Sequence, residues 1–118
     1  MRAIRVAEHG GPEVLQLTEV DAPEPQPGQL LVRVAASGVN FIDTYQRSGI
    51  YSVELPFTPG SEGAGEVVAV GDGVTEFSVG DRVAWAMTPG SYAEQALVPA
   101  DKAVRVPAGV DERTAAAA

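Results

Sequence analysis

Two neighbouring stretches of this chain hold most of its side chains able to orient a bound molecule or move a proton. The first runs Ala36-Ser37-Gly38-Val39-Asn40-Phe41-Ile42-Asp43-Thr44-Tyr45-Gln46-Arg47-Ser48-Gly49-Ile50-Tyr51, and the second is Pro59-Gly60-Ser61-Glu62-Gly63-Ala64-Gly65. Asn40 offers an amide donor and an amide acceptor. Tyr45 and Tyr51 carry phenols that hydrogen-bond at one end and pack at the other. Asp43 and Glu62 are carboxylates suited to orienting neighbours or to forming a weak pair. Each also has a plain structural reading: a half-buried tyrosine usually serves the core, and Asp43 suits a cap for the turn at Thr44-Tyr45. Together, with Ser61 and Glu62 set between glycines, they look like a site on loops carried by a rigid scaffold. The set favours positioning over nucleophilic attack.

Other chemistries lack their parts. A catalytic zinc site draws about three ligands from His, Cys and carboxylates. This chain has no Cys and one His, His9, beside Gly10-Gly11. A Ser-His-Asp arrangement would have to recruit that same His9, and there is no Gly-x-Ser-x-Gly elbow. No Gly-x-x-x-x-Gly-Lys-Ser/Thr loop is present. Gly71-Asp72-Gly73 follows a strand pattern as a dinucleotide fingerprint would, but the third glycine is missing and no helix pattern follows. It reads as a tight turn, so this segment does not bind a pyrophosphate.

The elements that must position these groups are short. Thirteen glycines and nine prolines in 118 residues favour many short strands joined by tight turns. Ala3–Ala7 and Val14–Val20 alternate and suggest a hairpin across Gly10-Gly11-Pro12. The proline-alternating run 22–28 reads as a surface connector. Leu30–Ala36 is apolar enough for a strand buried on both faces. Phe41–Arg47 has helical spacing, with Gly49 as its stop. Strands are also predicted at 65–71, 92–98 and 103–106, and 79–85 reads as a turn with Gly80-Asp81 at its corner and then a strand. Seven or eight short strands at near-regular spacing point to a mainly β fold, a barrel or sandwich.

Composition narrows the partners. With 45% hydrophobic and 20% charged residues the chain is an ordinary globular one, large enough for one domain with a real core. Sixteen acidic against eight basic side chains give a net charge of −8, which disfavours nucleic acid and anionic membranes. No segment approaches the ~20 apolar residues of a membrane span, no signal-peptide run opens the chain, and the lack of Cys is compatible with a reducing cytoplasm. At the other end, Asp111 reads as the N-cap of a helix that runs into alanines and stops without a C-cap or an amphipathic face. The expectation is a domain over 1–109 and, over 110–118, the start of a linking helix toward a further domain.

Residues 38–51 closely resemble the signature of quinone oxidoreductases, the zeta-crystallin-like branch of the medium-chain dehydrogenase/reductase superfamily. Supporting matches are His9–Leu15, Pro59–Gly65, Val79–Val83, Gly90–Glu94 and the run from Asp101 to Pro107. The resemblance implies a GroES-like, partly open β-barrel, the substrate-side domain, with the nucleotide-binding Rossmann domain absent from this chain. In zinc-dependent relatives a Cys stands at position 40 and a His at position 61, and a cysteine-rich lobe follows the strand at 79–85. Here Asn40 and Ser61 replace the ligands and a short run through Met87-Thr88-Pro89 replaces the lobe, implying a zinc-free enzyme. By the same resemblance NADPH is the cofactor and a quinone or other conjugated carbonyl (an enone) the acceptor. Tyr45 meets the nicotinamide end, Asn40 lines the acceptor pocket with Tyr51, and Asp43 and Ser61 stand behind them. Tyr45 or water supplies the proton. The whole protein is expected to be a cytoplasmic homodimer, and these 118 residues alone inactive. A zinc-free enoyl-thioester reductase of the same superfamily and a non-catalytic β-barrel interaction module stand as alternatives.

Overall fold

A computed structural model describes residues 1–51 and 53–117. Its seven strands are β1 (Arg2–Arg5), β2 (Gln16–Glu19), β3 (Gln29–Ser37), β4 (Gly63–Val70), β5 (Arg82–Trp85), β6 (Gln95–Pro99) and β7 (Ala103–Arg105). Two helices interrupt them, α1 (Phe41–Ser48) and α2 (Glu112–Ala117). β1 and β2 form the expected antiparallel hairpin, with Ile4 opposite Leu17. The other five strands make one antiparallel sheet in the order β6-β3-β4-β5-β7. Single bridges from Ala3 to Ala93 and from Val6 to Phe57 fasten the hairpin to this sheet. The result is a half-barrel that stays open along β7, mainly β as the strand pattern predicts and partly open as the resemblance implies.

Period-two alternation builds the core. Leu30 and Val32 from β3, Val67 from β4, Val83 and Trp85 from β5, and Ala96 and Val98 from β6 meet on the inner face with Phe77. The outer face has a smaller cluster, in which Ala64 and Ala84 pack against Ala116 of α2. The terminal helix therefore does have a buried face. It went unread because it consists of small alanines, which carry no hydrophobic period but let a helix backbone lie close to a sheet. Arg82 secures the same helix, its Nε donating to Glu112 at 2.9 Å and its guanidinium also to the carbonyl of Val110.

Three strands differ from the reading by pattern. β3 is buried on both faces only over Leu30–Val32, and from Arg33 onward its side chains alternate outward. β2 begins later, because Pro12–Val14 turns as a short 3-10 segment whose first residue has its φ fixed by the ring. β6 begins at Gln95, since Tyr92, Ala93 and Glu94 bond outward to β1 and β3 rather than as a regular ladder. Two register shifts between β3 and β4, at Leu31/Val32 and Val34/Ala36, bend the pair. The second bend delivers the chain to Gly38 and the start of α1.

Candidate functional site

α1 is defined by its ends. Asn40, in extended conformation, is the N-cap, and Asp43 in the first turn completes a capping box by accepting the Asn40 backbone N–H at 3.0 Å. Gly49 stops the helix at φ +92°, a left-handed conformation that costs glycine little. The backbone N–H groups of Gly49 and Tyr51 both bond the Tyr45 carbonyl, at 3.1 and 3.2 Å. That fold-back sets Tyr51 edge-on to Tyr45, with ring centroids 5.5 Å apart at 88°. His9 latches the helix end: its Nδ1 lies 3.1 Å from the Gln46 carbonyl and 3.3 Å from that of Arg47, so this nitrogen donates. Arg47 returns a bond from Nε to the Gly10 carbonyl at 3.2 Å.

Opposite α1 lies a second backbone frame. Ser61 C=O accepts the Thr88 N–H, Gly60 C=O the Gly90 N–H, and Pro59 C=O the Tyr92 N–H, each at 3.0–3.1 Å. Gly60 has φ +103°, and a Cβ there would run into the Ser91 hydroxyl and the Tyr92 ring. Only glycine allows the two segments to lie this close.

The two frames meet at Asp43. This carboxylate is 5% exposed, and among the described residues no cation lies within ion-pair distance of it. Neutral donors hold it instead: the Tyr92 hydroxyl at 2.6 Å, the Asn40 N–H at 3.0 Å, both on Oδ2, and the Ser61 hydroxyl at 3.4 Å on Oδ1. Burial, and after it the Asp43 bond and charge, push the Tyr92 phenol well above its ordinary range, so it stays a donor throughout neutral pH. The Asn40 amide donates from Nδ2 to Glu62 Oε1 at 3.1 Å. A carboxylate only accepts, so this contact fixes which end of the amide faces which way.

Above these groups opens a cleft of about 640 Å³. Asn40, Ile42 and Gln46 of α1 form one side, Ser61 and Glu62 another, and the Ala86–Pro89 turn a third. Met87 in that turn is exposed and has φ +60°, and Lys102 Nζ holds its carbonyl at 3.3 Å. A smaller hollow of about 290 Å³, floored by Ala84, Val106 and Ala116, shares Glu62 and Ala86 with the cleft. Of the six residues singled out from sequence, Asn40, Ser61 and Glu62 line the cleft together. Asp43 sits behind them, out of its reach. Tyr45 and Tyr51, 37% and 52% exposed, do not line it; they pair on another part of the α1 surface. Tyr92 was not singled out as a site residue at all. It lies 49 residues from Asp43, and no local pattern announces that bond. Among the described residues no three of His, Cys, Asp and Glu come together as a metal site would require, and no helix is long and apolar enough to cross a membrane.

An antiparallel half-barrel with a polar cleft between a capped helix and a glycine turn defines a class. The chain belongs to the alcohol dehydrogenase GroES-like domain family, whose pattern matches residues 26–108. Within that class its likeness to quinone oxidoreductases runs almost end to end. It is 51% identical to the quinone oxidoreductase of Pseudomonas aeruginosa over 98% of this chain, and 50% identical to that of Rattus norvegicus over 99%. The quinone oxidoreductase of Escherichia coli, solved in complex with NADPH, superposes with a TM-score of 0.96 at 43% identity, covering 99% of this chain and 36% of that one. The chain spans 36–37% of the length of the two curated relatives.

Proposed function

We propose that these 118 residues are the acceptor-side domain, residues 1–109 with a linking helix from 110, of a zinc-independent NADPH:quinone oxidoreductase. The observation that carries this reading is the pairing of Asn40 and Ser61 in one cleft, on a frame about half identical to proteins called quinone oxidoreductases. An amide and a hydroxyl are poor zinc ligands, so the donor set does not fit that metal. It does fit a conjugated carbonyl. With Nδ2 engaged by Glu62 and the amide oxygen turned to the capping box, Asn40 keeps one N–H free for an acceptor oxygen as negative charge develops there. Ser61, its proton directed to Asp43, shapes the cleft wall beside the acceptor and leaves donation to Asn40.

The residues also suit a nicotinamide ring. Tyr45, braced edge-on by Tyr51, is a half-exposed aromatic ledge on the helix that Asn40 caps, and we assign it to the nicotinamide end, with Asn40 touching both cofactor and acceptor. When bound, NADPH supplies the hydride. The phosphates fall to residues outside this chain, which contains no phosphate-cradling loop. The proton that completes reduction comes from water, because the Tyr45 phenol does not line the cleft. The same reading has the whole protein acting as a cytoplasmic homodimer.

The test is turnover by the full-length polypeptide, followed as loss of NADPH absorbance with 1,4-benzoquinone, an enone and an enoyl thioester in parallel, and as gain of NADPH absorbance with NADP+ and a primary alcohol. Quinone and enone reduction that is unaffected by chelators is the expected result. Preferential turnover of the thioester, or alcohol oxidation restored by added zinc, overturns the assignment. The isolated 118-residue chain is expected to be inert, and activity from it would refute the division into domains.

A further inference from the structure

We infer that Tyr92 is a positioning residue for the acceptor site, acting through Asp43 to fix the two cleft-lining residues Asn40 and Ser61. The inference rests on the reading of the cleft given above. Asp43 is the one buried carboxylate among the described residues, and a charge taken out of water must be answered by donors. Of its three donors, the Asn40 N–H and the Ser61 hydroxyl belong to residues that line the cleft. They can hold a substrate in register only if the carboxylate between them is itself held. The Tyr92 hydroxyl does this, with the shortest bond of the three at 2.6 Å, a distance typical of charge-assisted contacts.

Tyr92 can act as an anchor because its own backbone is tied from two directions. Its N–H bonds the Pro59 carbonyl at 3.0 Å, and its carbonyl accepts the Ile4 N–H at 2.9 Å. The first tie binds it to the turn that carries Ser61, the second to β1 and the barrel wall. The side chain is not among those that line the cleft, and its one side-chain hydrogen bond among the described residues goes to Asp43. Its influence therefore passes through one atom, Asp43 Oδ2, which also receives the Asn40 N–H. Loss of the phenol hydroxyl frees that carboxylate to follow Asn40 or Ser61 instead of directing them.

The experiment is a double-mutant cycle on the full-length protein with 1,4-benzoquinone as acceptor, using Tyr92→Phe, Ser61→Ala and the pair. Tyr92→Phe keeps the ring and is expected to lower kcat/KM for quinone about tenfold, carried mainly by KM. The double variant is expected to be little worse than the more damaged single one, because both changes break the same relay. If Tyr92 only supports the fold, Tyr92→Phe lowers thermal stability and leaves quinone KM alone, or its effect multiplies with that of Ser61→Ala; either result overturns the inference. Should Tyr92→Phe fail to fold, 3-fluorotyrosine at position 92, nearly isosteric but a stronger acid, must still shift quinone KM, and an unchanged KM overturns it. A wild-type protein that binds NADPH yet reduces no quinone refutes the underlying reading instead.

Discussion

Replacing Asp43 separates its charge from its hydrogen bonds, because the two obvious variants remove different things. In Asp43→Asn the amide oxygen can take the place of Oδ2, keeping the Tyr92 hydroxyl and the Asn40 N–H, while the new NH2 faces the Ser61 hydroxyl. A hydroxyl can turn and accept, so all three contacts survive without charge assistance. Bonds to charged groups contribute about 1.5–3 kcal/mol and neutral ones about 0.5–1.5, so weakening the two bonds to Oδ2 costs roughly 2 kcal/mol. The Ser61 contact, already long at 3.4 Å, adds little. Relief from holding a buried charge offsets part of this, leaving about 1 kcal/mol. Asp43→Ala removes every acceptor. The Asn40 N–H and the Ser61 hydroxyl can recruit water from the cleft. The Tyr92 hydroxyl points at Asp43, behind the cleft, and takes most of the penalty. A total near 3–4 kcal/mol follows, a large share of any small domain's stability. Urea unfolding of the two variants beside wild type measures the difference directly. The reasoning fails if the asparagine variant loses as much as the alanine variant, or if the alanine variant lies within about 1 kcal/mol of wild type.

Acid should loosen α2. The Thr114 N–H, and next the Thr114 side chain, hold the Asp111 carboxylate below its ordinary value of 3.8, so the folded state binds fewer protons there than the unfolded one. Stability from this cap is complete above that value and is lost as pH falls beneath it, a slope that Asp111→Asn should flatten in urea midpoints taken across acid pH. Ala84→Leu should cost about 1–3 kcal/mol, because the side chain must enter the contact between Ala64 and Ala116, and unchanged unfolding would dismiss that packing. Gly60→Ala should destabilise by about 2 kcal/mol or more, since strain at φ +103° adds to collision with Ser91 and Tyr92; a smaller loss in thermal unfolding would mean that the turn can relax.

How far the chain could be read without coordinates follows from the range of each interaction. Alternation at Ile4, Leu30–Val32 and Val67 marks strands because side-chain direction repeats every two residues, and turn glycines punctuate them. The helical stretch at 41–47 was legible because apolar spacing and a terminal glycine lie close together, whereas Asn40 was legible as a pocket residue and not as an N-cap. Tyr45 and Tyr51 show the limit. Spacing places them on the α1 segment but does not say which way the segment faces, and neither lines the cleft that Asn40 and Ser61 share. The buried face of α2 was hidden because alanine carries too little hydrophobic contrast to trace a stripe. Tyr92 was out of reach altogether: a bond between residues 43 and 92 depends on how two frames cross, which no local pattern encodes.

That crossing also accounts for how a neutral site keeps its shape. Three backbone bonds lock 59–61 to 88–92, while the capping box and Gly49 set α1 independently. Each frame is rigid by itself, and the side-chain contacts that span them are the Asn40 amide on Glu62 and a buried carboxylate with three different donors. A metal would impose geometry through strong, directional ligation. Here the geometry comes from the cost of leaving Asp43 unsatisfied, which penalises any slip of Asn40 or Ser61 relative to Tyr92. Such a clamp holds polar groups in place without concentrating positive charge. That arrangement serves an acceptor that is already electrophilic better than an alcohol whose alkoxide needs a Lewis acid. The acceptor class proposed above and the buried carboxylate thus fit one proposal, in which neutral donors do the holding that a cation would otherwise do.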